Sequence, residues 1–232
     1  MSEFRSLNID VVVNNQTKRI DGDRRTEFVK HYGFDNLIPN RYSEVLIVDL
    51  IMSLELNGID PTHVIDEIKR LETLSDDGYT KKATQFKHPP LHPLWHQHYF
   101  SAHYIAQNIQ NEISRDFQNI WDKSMGPEGS VIEKQHINNL VNNVVHGTIE
   151  TRGNQKRITG EWLIFSRQAT GNIYLCMATH ATGDQNIYDK VAYCCERQFP
   201  LLEPFASNRK AAQMSTNGVT QMQMRSHKRG QV

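Results

Sequence analysis

Residues 157–180 read R-I-T-G-E-W-L-I-F-S-R-Q-A-T-G-N-I-Y-L-C-M-A-T-H, and they carry the clearest strand pattern in the chain. β-branched and aromatic residues are frequent in both halves, and a Thr170-Gly171-Asn172 turn separates them, which predicts a hairpin of strands Arg157–Arg167 and Ile173–His180. Immediately upstream, Val144–Arg152 has a similar pattern and ends before a Gly-Asn turn. The sequence therefore predicts a three-stranded antiparallel β-meander.

The chain outside this meander has the signals of helices. Ser43 and Asp60-Pro61 are typical helix starts, because their side chains accept backbone N–H groups and proline is tolerated in the first turn. Farther along, large apolar residues recur every four positions from Ile105 to Phe117, which is the pattern of an amphipathic helix. After the meander, Gly183-Asp184 begins a last helix.

Together these patterns predict an α+β fold, in which an α-helical first part packs on the meander and the helix that follows it. The mainly helical part is residues 1–125, and it includes a segment at 86–103 rich in histidine, proline and aromatic residues. Residues 131–205 form the meander and its helix, and the two parts are either separate domains or one domain. Residues 206–232 contain basic but no acidic groups and lack apolar periodicity, which predicts a disordered tail.

Composition is typical of a soluble globular protein. The chain has 232 residues, of which 38% are apolar and 22% charged, enough for a core without disulfides or metals. Residues 1–15 lack the apolar stretch of a secretory signal, and Asp49 and Glu55 interrupt the most apolar window, so we expect a cytoplasmic protein without a membrane span. The absence of glycine-rich nucleotide loops and of a Gly-x-Ser-x-Gly elbow disfavours nucleoside triphosphatases, Rossmann dehydrogenases and typical α/β-hydrolases.

The net charge of zero conceals an uneven distribution. Residues 1–145 carry 15 basic and 20 acidic groups, whereas residues 146–232 carry 11 and 6. A basic half attracts phosphate groups, which makes RNA or another nucleic acid a candidate partner. The same basic half is equally suited to dock on the acidic half of its own chain.

Five of the eleven histidines lie within residues 88–103. Neutral imidazole is a common ligand for divalent metals such as zinc, and two histidines separated by one residue on an extended segment point the same way. A metal site is therefore one hypothesis, with the ligands His92, His96, His98 and His103. Two other roles fit the same residues: the rings satisfy backbone groups inside the fold, or they act in catalysis without a metal.

The enzymatic hypothesis is a ribonuclease or toxin-like nuclease that hydrolyses phosphodiesters. Cleavage through the 2′-hydroxyl of RNA needs a histidine that exchanges a proton near neutral pH and cations that hold the phosphate oxygens. The candidate acid and base groups are His96, His98 and His146. The candidate phosphate-binding groups lie at the end of the first predicted strand and beyond it: Arg152, Lys156 and Arg157.

Two alternatives need no catalysis. Residues 89–100 combine prolines with Trp95, Tyr99 and Phe100, and an exposed segment of this kind is typical of a protein-interaction or regulatory surface. The other alternative is metal binding by the histidines. The catalytic hypothesis requires imidazoles that are distant in sequence to converge on one cleft, and it concerns His88, His96, His98, His146 and His180.

Overall fold

A computed structural model gives the fold of the chain, and it describes residues 8–13, 16–75, 80–100, 104–126, 131–155, 157–158 and 160–210. Over these residues the protein is α+β, which confirms the predicted class. The described strands form two antiparallel sheets, one of two strands and one of four.

The smaller sheet is a hairpin of β1 (Ile9–Val13) and β2 (Gln16–Ile20). The larger sheet has the strand order β3-β4-β5-β6. Its strands span Thr84–Gln85, Trp95–Tyr99, Glu161–Gln168 and Gly171–Ala178. β5 and β6 are the predicted hairpin, with their ends shifted and a bulge at Ile164/Phe165.

The helices precede, interrupt and follow the larger sheet. The first four are α1 (Gly22–Tyr32), α2 (Phe34–Leu37), α3 (Glu44–Asn57) and α4 (Thr62–Thr73). After β4 come α5 (Ile105–Met125), α6 (Lys134–Asn142), a π-helical turn (Asn143–Gly147) and α7 (Thr148–Asn154). α8 (Asp184–Gln198) follows β6. Among the helices described, none is both long enough and apolar enough to cross a lipid bilayer.

The central helix α3 has the boundaries that its sequence predicts. Ser43 Oγ accepts the backbone N–H of Leu46 at 3.1 Å and caps the first turn. Gly58 ends the helix with a φ of 62°, a conformation that glycine adopts without steric cost. Because α3 is apolar around most of its circumference, it is buried against β6 on one side and α1 on another.

The predicted first strand of the meander is wrong. Val144–Arg152 belongs to the π-helical turn and α7. The helix is favoured because Thr148 and Arg152, four residues apart, share one side that is buried against α5. There, Arg152 Nε donates to Asn108 Oδ1 at 3.0 Å. The strand that pairs with β5 is instead β4, from the histidine-rich segment, so the larger sheet is not a three-stranded meander.

The larger sheet separates two hydrophobic layers. Helices α1, α3 and α4 cover one face, where Tyr99 is fully buried. Helix α8 covers the other face, where it packs near Ile164. Because side chains alternate along a strand, Gln97 of β4 points toward α4, whereas His96 and His98 lie on the face that carries α8.

Strands from both predicted parts share the larger sheet, since β4 belongs to residues 1–125 and β5 to residues 131–205. A helical turn spans residues 205–210, with Phe205 and Ala206 buried, so residues 206–210 of the predicted tail are ordered rather than disordered. The remainder of that tail, residues 211–232, lies outside the described residues.

Candidate functional site

Three imidazoles meet around one indole at an end of the larger sheet. We call His96, His98 and His180 the histidine cluster, and Trp162 lies between them. The ring centroid of Trp162 is 4.8 Å from that of His96 and 4.3 Å from that of His180. The centroids of His98 and His180 are 5.6 Å apart. Imidazoles that are distant in the sequence therefore share one site.

Strand register explains this convergence. His96 and His98 are two residues apart on β4, so both lie on the same face of the sheet. His98 is directly opposite Trp162 of β5, and Trp162 is directly opposite Ala178 of β6. His180 lies two positions beyond Ala178, in the turn after β6, and its ring contacts those of Trp162 and His98.

Some ring nitrogens of this site have hydrogen-bond partners and others do not. His98 Nδ1 lies 3.2 Å from the carbonyl oxygen of Gly160, and because a carbonyl only accepts, we assign the proton to this nitrogen and the lone pair to Nε2. In contrast, His96 Nδ1 and Trp162 Nε1 are buried without a hydrogen-bond partner among the described residues. Such buried, unpartnered polar atoms are rare in proteins, and a bound water, a ligand or a chemical role accounts for those that occur.

Burial keeps the imidazoles of the cluster neutral. It lowers the pKa of His96 and of His98 to about 4, and it also lowers the pKa of His180. The positive charge of Lys81 acts in the same direction on all three rings, whereas the Gly160 carbonyl partly opposes it at His98. All three rings are therefore uncharged near pH 7 and able to accept a proton.

The cluster is accessible to solutes from one side. His180 is exposed, His96 and Trp162 are half-buried, and His98 is buried. Lys81 is exposed at the rim. A negatively charged solute therefore meets a cation at the edge of the site and neutral bases inside it.

The described residues give no support to the predicted metal site. His92 Nδ1 lies 3.0 Å from the carbonyl oxygen of Phe86, which ties this ring to the backbone. His103 lies outside the residues that the structure describes. Within the described ranges, no three His, Cys, Asp or Glu side chains are placed so that they could hold a metal ion.

The two predicted phosphate-binding arginines lie elsewhere, in a buried group that we call the arginine network: Arg152, Arg157, Glu112 and Asn108. Arg157 donates to the two carboxylate oxygens of Glu112 at 3.2 and 3.1 Å. Arg152 is 6% exposed, bonds to Asn108, and has a guanidinium nitrogen 3.6 Å from the same carboxylate. Because Glu112 compensates both guanidiniums inside the fold, they are poorly placed to hold a phosphate. Lys156 is not among the described residues.

His146 and His88 do not join the cluster. His146 is exposed on the π-helical turn, which packs against α5, α6 and α7. In the described part of the chain, neither ring contacts an imidazole of the cluster. Of the five imidazoles that the catalytic hypothesis concerns, the structure brings three together.

The segment 89–100 is largely interior. Leu94 and Tyr99 are fully buried. Trp95 is covered by the guanidinium of Arg167, which lies 3.8 Å from the ring centroid. This packing does not offer the exposed aromatic surface that a docking role for the segment requires.

Sequence reasoning did not single out Trp162 or Lys81. Trp162 fits the hairpin pattern, and only its register with His98 places it among the imidazoles. Lys81 lies in a segment whose composition indicates a surface loop. The alternation of histidine and glutamine in β4 is a strand pattern despite its polar residues, and it could have identified the strand that pairs with Trp162. No local signal marks Lys81.

A comparison of the chain with protein-family models, with curated proteins and with solved structures finds no match. The described residues define an α+β protein with a cluster of neutral imidazoles and a lysine at its rim. Such a site is suited to moving protons and to attracting an anion.

Proposed function

We propose that the protein is a hydrolase that cleaves RNA phosphodiesters, with the histidine cluster as its acid and base. The observation that supports this most directly is the convergence of three neutral imidazoles beside an exposed lysine. Cleavage through the 2′-hydroxyl needs one group that takes a proton, one that gives a proton, and a cation for the phosphate. The cluster and Lys81 contain all three.

His96 is the proposed general base. Its ring is half-buried beside Trp162, and burial lowers its pKa to about 4, so it is neutral near pH 7. A neutral imidazole of this kind takes the proton from the 2′-hydroxyl. The 2′-oxygen then bonds to phosphorus while the bond to the 5′-oxygen breaks. The 2′,3′-cyclic phosphate that is left is hydrolysed by water in a second, slower step.

His180 is the proposed general acid. Its ring is exposed and contacts both Trp162 and His98. A bound phosphodiester is negatively charged, so it raises the pKa of a neighbouring imidazole and favours the protonated form. His180 then gives its proton to the departing 5′-oxygen, and the Lys81 ammonium stabilises the charge on the phosphate.

Cleavage of labelled single-stranded RNA in the presence of a chelator tests the proposal. We expect the wild-type protein to produce fragments that end in a 2′,3′-cyclic phosphate, identified by mass spectrometry. His180→Ala should lower kcat/KM by about 100-fold, because a positioned acid contributes on this order.

The matched control is His88→Ala, which removes an exposed histidine outside the cluster and should leave the rate unchanged. An oligonucleotide with deoxyribose at every position should stay intact, since it lacks the attacking hydroxyl. The proposal is abandoned if the wild-type protein leaves RNA intact with and without divalent metals, or if His180→Ala is fully active.

A further inference from the structure

A second basic site lies on the other face of the larger sheet. A cavity of about 590 Å³ opens between α4 and the strands, a volume within the range of roughly 300–1,000 Å³ that small-ligand sites have. Its described charged lining residues are four basic and one acidic: Arg70, Lys81, Lys82, Arg167 and Glu67. The described lining therefore carries a positive charge.

The one acidic side chain in this described lining is already engaged. Glu67 is 2% exposed, and its carboxylate lies 2.5 Å from a guanidinium nitrogen of Arg70. It also accepts hydrogen bonds from Thr80 Oγ1 at 3.0 Å and from Gln97 Nε2 at 3.3 Å. Because Arg70 compensates this carboxylate in the floor of the cavity, Glu67 does not cancel the charge of Lys81 or Arg167.

Arg167 is held in a geometry suited to phosphate. Its guanidinium lies over Trp95 at 3.8 Å from the ring centroid. Stacking on an indole restricts the plane of the guanidinium, so less conformational entropy is lost when its N–H groups bind a pair of phosphate oxygens. The residue itself is exposed and lines the cavity.

Lys81 connects the cavity to the histidine cluster. It lines the cavity, and its backbone oxygen accepts a hydrogen bond from Gln97 Nε2 at 2.8 Å. The same amide nitrogen lies 2.9 Å from the backbone oxygen of His98, so Lys81 is fixed beside β4 at the level of the cluster. The outer strand β3 pairs only with Trp95 and His96 of β4. The sheet is therefore narrow at this edge, and the distance around it from one face to the other is short.

We propose that this cavity is a phosphate-binding subsite for the RNA strand that the histidine cluster cleaves. This inference rests on the proposed function, and it assigns Arg167 to a phosphate of the same RNA strand that lies beyond the scissile one. Lys81 lies at the edge of the sheet, where a single strand of RNA passes from the cavity to the imidazoles. Duplex RNA is too wide and stiff to bend around such an edge, so the substrate class is single-stranded RNA.

Binding of a fluorescein-labelled 2′-O-methyl RNA oligonucleotide tests this inference apart from catalysis, because the probe has no free 2′-hydroxyl and is not cleaved. Arg167→Ala should weaken binding about tenfold, the loss expected for one charge-assisted contact. It should also reduce the slope of log K against log salt concentration by about 0.7, since one fewer counterion is released. Arg167→Lys keeps the charge but not the planar fork, and its affinity should be intermediate.

The matched control is Arg115→Ala, which removes the same charge from an exposed position on α5 outside the cavity lining. It should change neither the affinity nor the salt slope. Lys81→Ala is a second test at an exposed position, and it should weaken binding with an unchanged Tm.

Binding and cleavage fail separately. If Arg167→Ala and Lys81→Ala bind the probe as tightly as the wild-type protein, the subsite is refuted whether or not RNA is cleaved. If the wild-type protein cleaves no RNA but Arg167→Ala binds the probe more weakly than the wild type, the proposed hydrolase activity is refuted and the subsite is supported.

Discussion

The histidine cluster and the arginine network use buried polar groups in opposite ways. In the arginine network, Glu112 lies between two guanidiniums and Asn108 bonds to one of them. Of the described groups there, one nitrogen lacks a partner, the Nε of Arg157. Among the three imidazoles of the histidine cluster and the indole of Trp162, two rings have a buried nitrogen without a described partner. Burial lowers the pKa of His96 and of His98, and His180 adds to the effect on both.

This difference separates a structural site from a chemical one. Charges that compensate each other inside a fold hold elements together, here α5 with α7, and they leave no capacity for a ligand. Polar rings that are neutral and lack some of their hydrogen bonds contribute less to stability than apolar residues of the same shape. A role in proton transfer is therefore a better explanation for their presence than a structural role. Arg152 and Arg157 therefore belong to the architecture, while the imidazoles are the candidates for function.

The largest effect that tests this comparison is expected at Glu112. Glu112→Gln keeps the shape of the side chain but removes the carboxylate charge that lies beside the guanidiniums of Arg152 and Arg157. We expect a loss of about 3 kcal/mol in the free energy of unfolding, measured by urea denaturation. The matched control Glu150→Gln, at an exposed position on α7, should stay within about 0.5 kcal/mol of the wild type. A loss below about 1 kcal/mol at Glu112 contradicts a structural role for the network.

The sequence predicted those elements that local signals determine. The cap at Ser43, the glycine at the end of α3 and the tight turn of the β5–β6 hairpin are short-range features, and the structure contains all three. The alternation in Val144–Arg152 predicts a strand. Its helical state depends on α5, through the bond between Arg152 and Asn108, and no local pattern reports that contact.

The candidate site was predictable only in part for the same reason. His96 and His98 were recognised from their spacing, and the prediction that they share a face is confirmed by their ring contact at 5.7 Å. The addition of His180 and Trp162 requires the register of three strands. That register depends on pairing between segments more than sixty residues apart, and the polar sequence of β4 hides its strand character.

The next largest effect concerns acid stability. Burial lowers the pKa of His98 to about 4, whereas the unfolded chain has an ordinary imidazole near 6.5. Between these values the unfolded state binds a proton that the folded state does not, so stability decreases as the pH falls from about 6.5 to about 4. His98→Asn removes the titration and keeps a donor for the Gly160 carbonyl.

In that variant, the difference in unfolding free energy between neutral and acid pH should shrink by about 2 kcal/mol, with allowance for solvent screening at the open side of the cluster. Chemical denaturation at a series of pH values measures it. His88→Asn, at an exposed position, should show the pH dependence of the wild type. If the two variants behave alike, His98 is not kept neutral by burial, and the electrostatic distinction between the two regions is lost.

The smallest effect, and the one that distinguishes the regions most sharply, is expected at His96. Its ring lies between Phe86 and Trp162, each 4.8 Å away between centroids, and its Nδ1 has no partner among the described residues. Because the surroundings are aromatic, His96→Phe replaces an unsatisfied polar ring by one that fits them, and the protein should gain about 1 kcal/mol in stability at pH 7. RNA cleavage should be lost, since the proposed base is gone.

The corresponding change in the arginine network, Asn108→Leu, should lower stability, because it removes a hydrogen-bond partner of Arg152. If His96→Phe is also destabilising, the imidazole has a structural partner outside the described residues, and the cluster is held together by the same kind of bonding as the arginines.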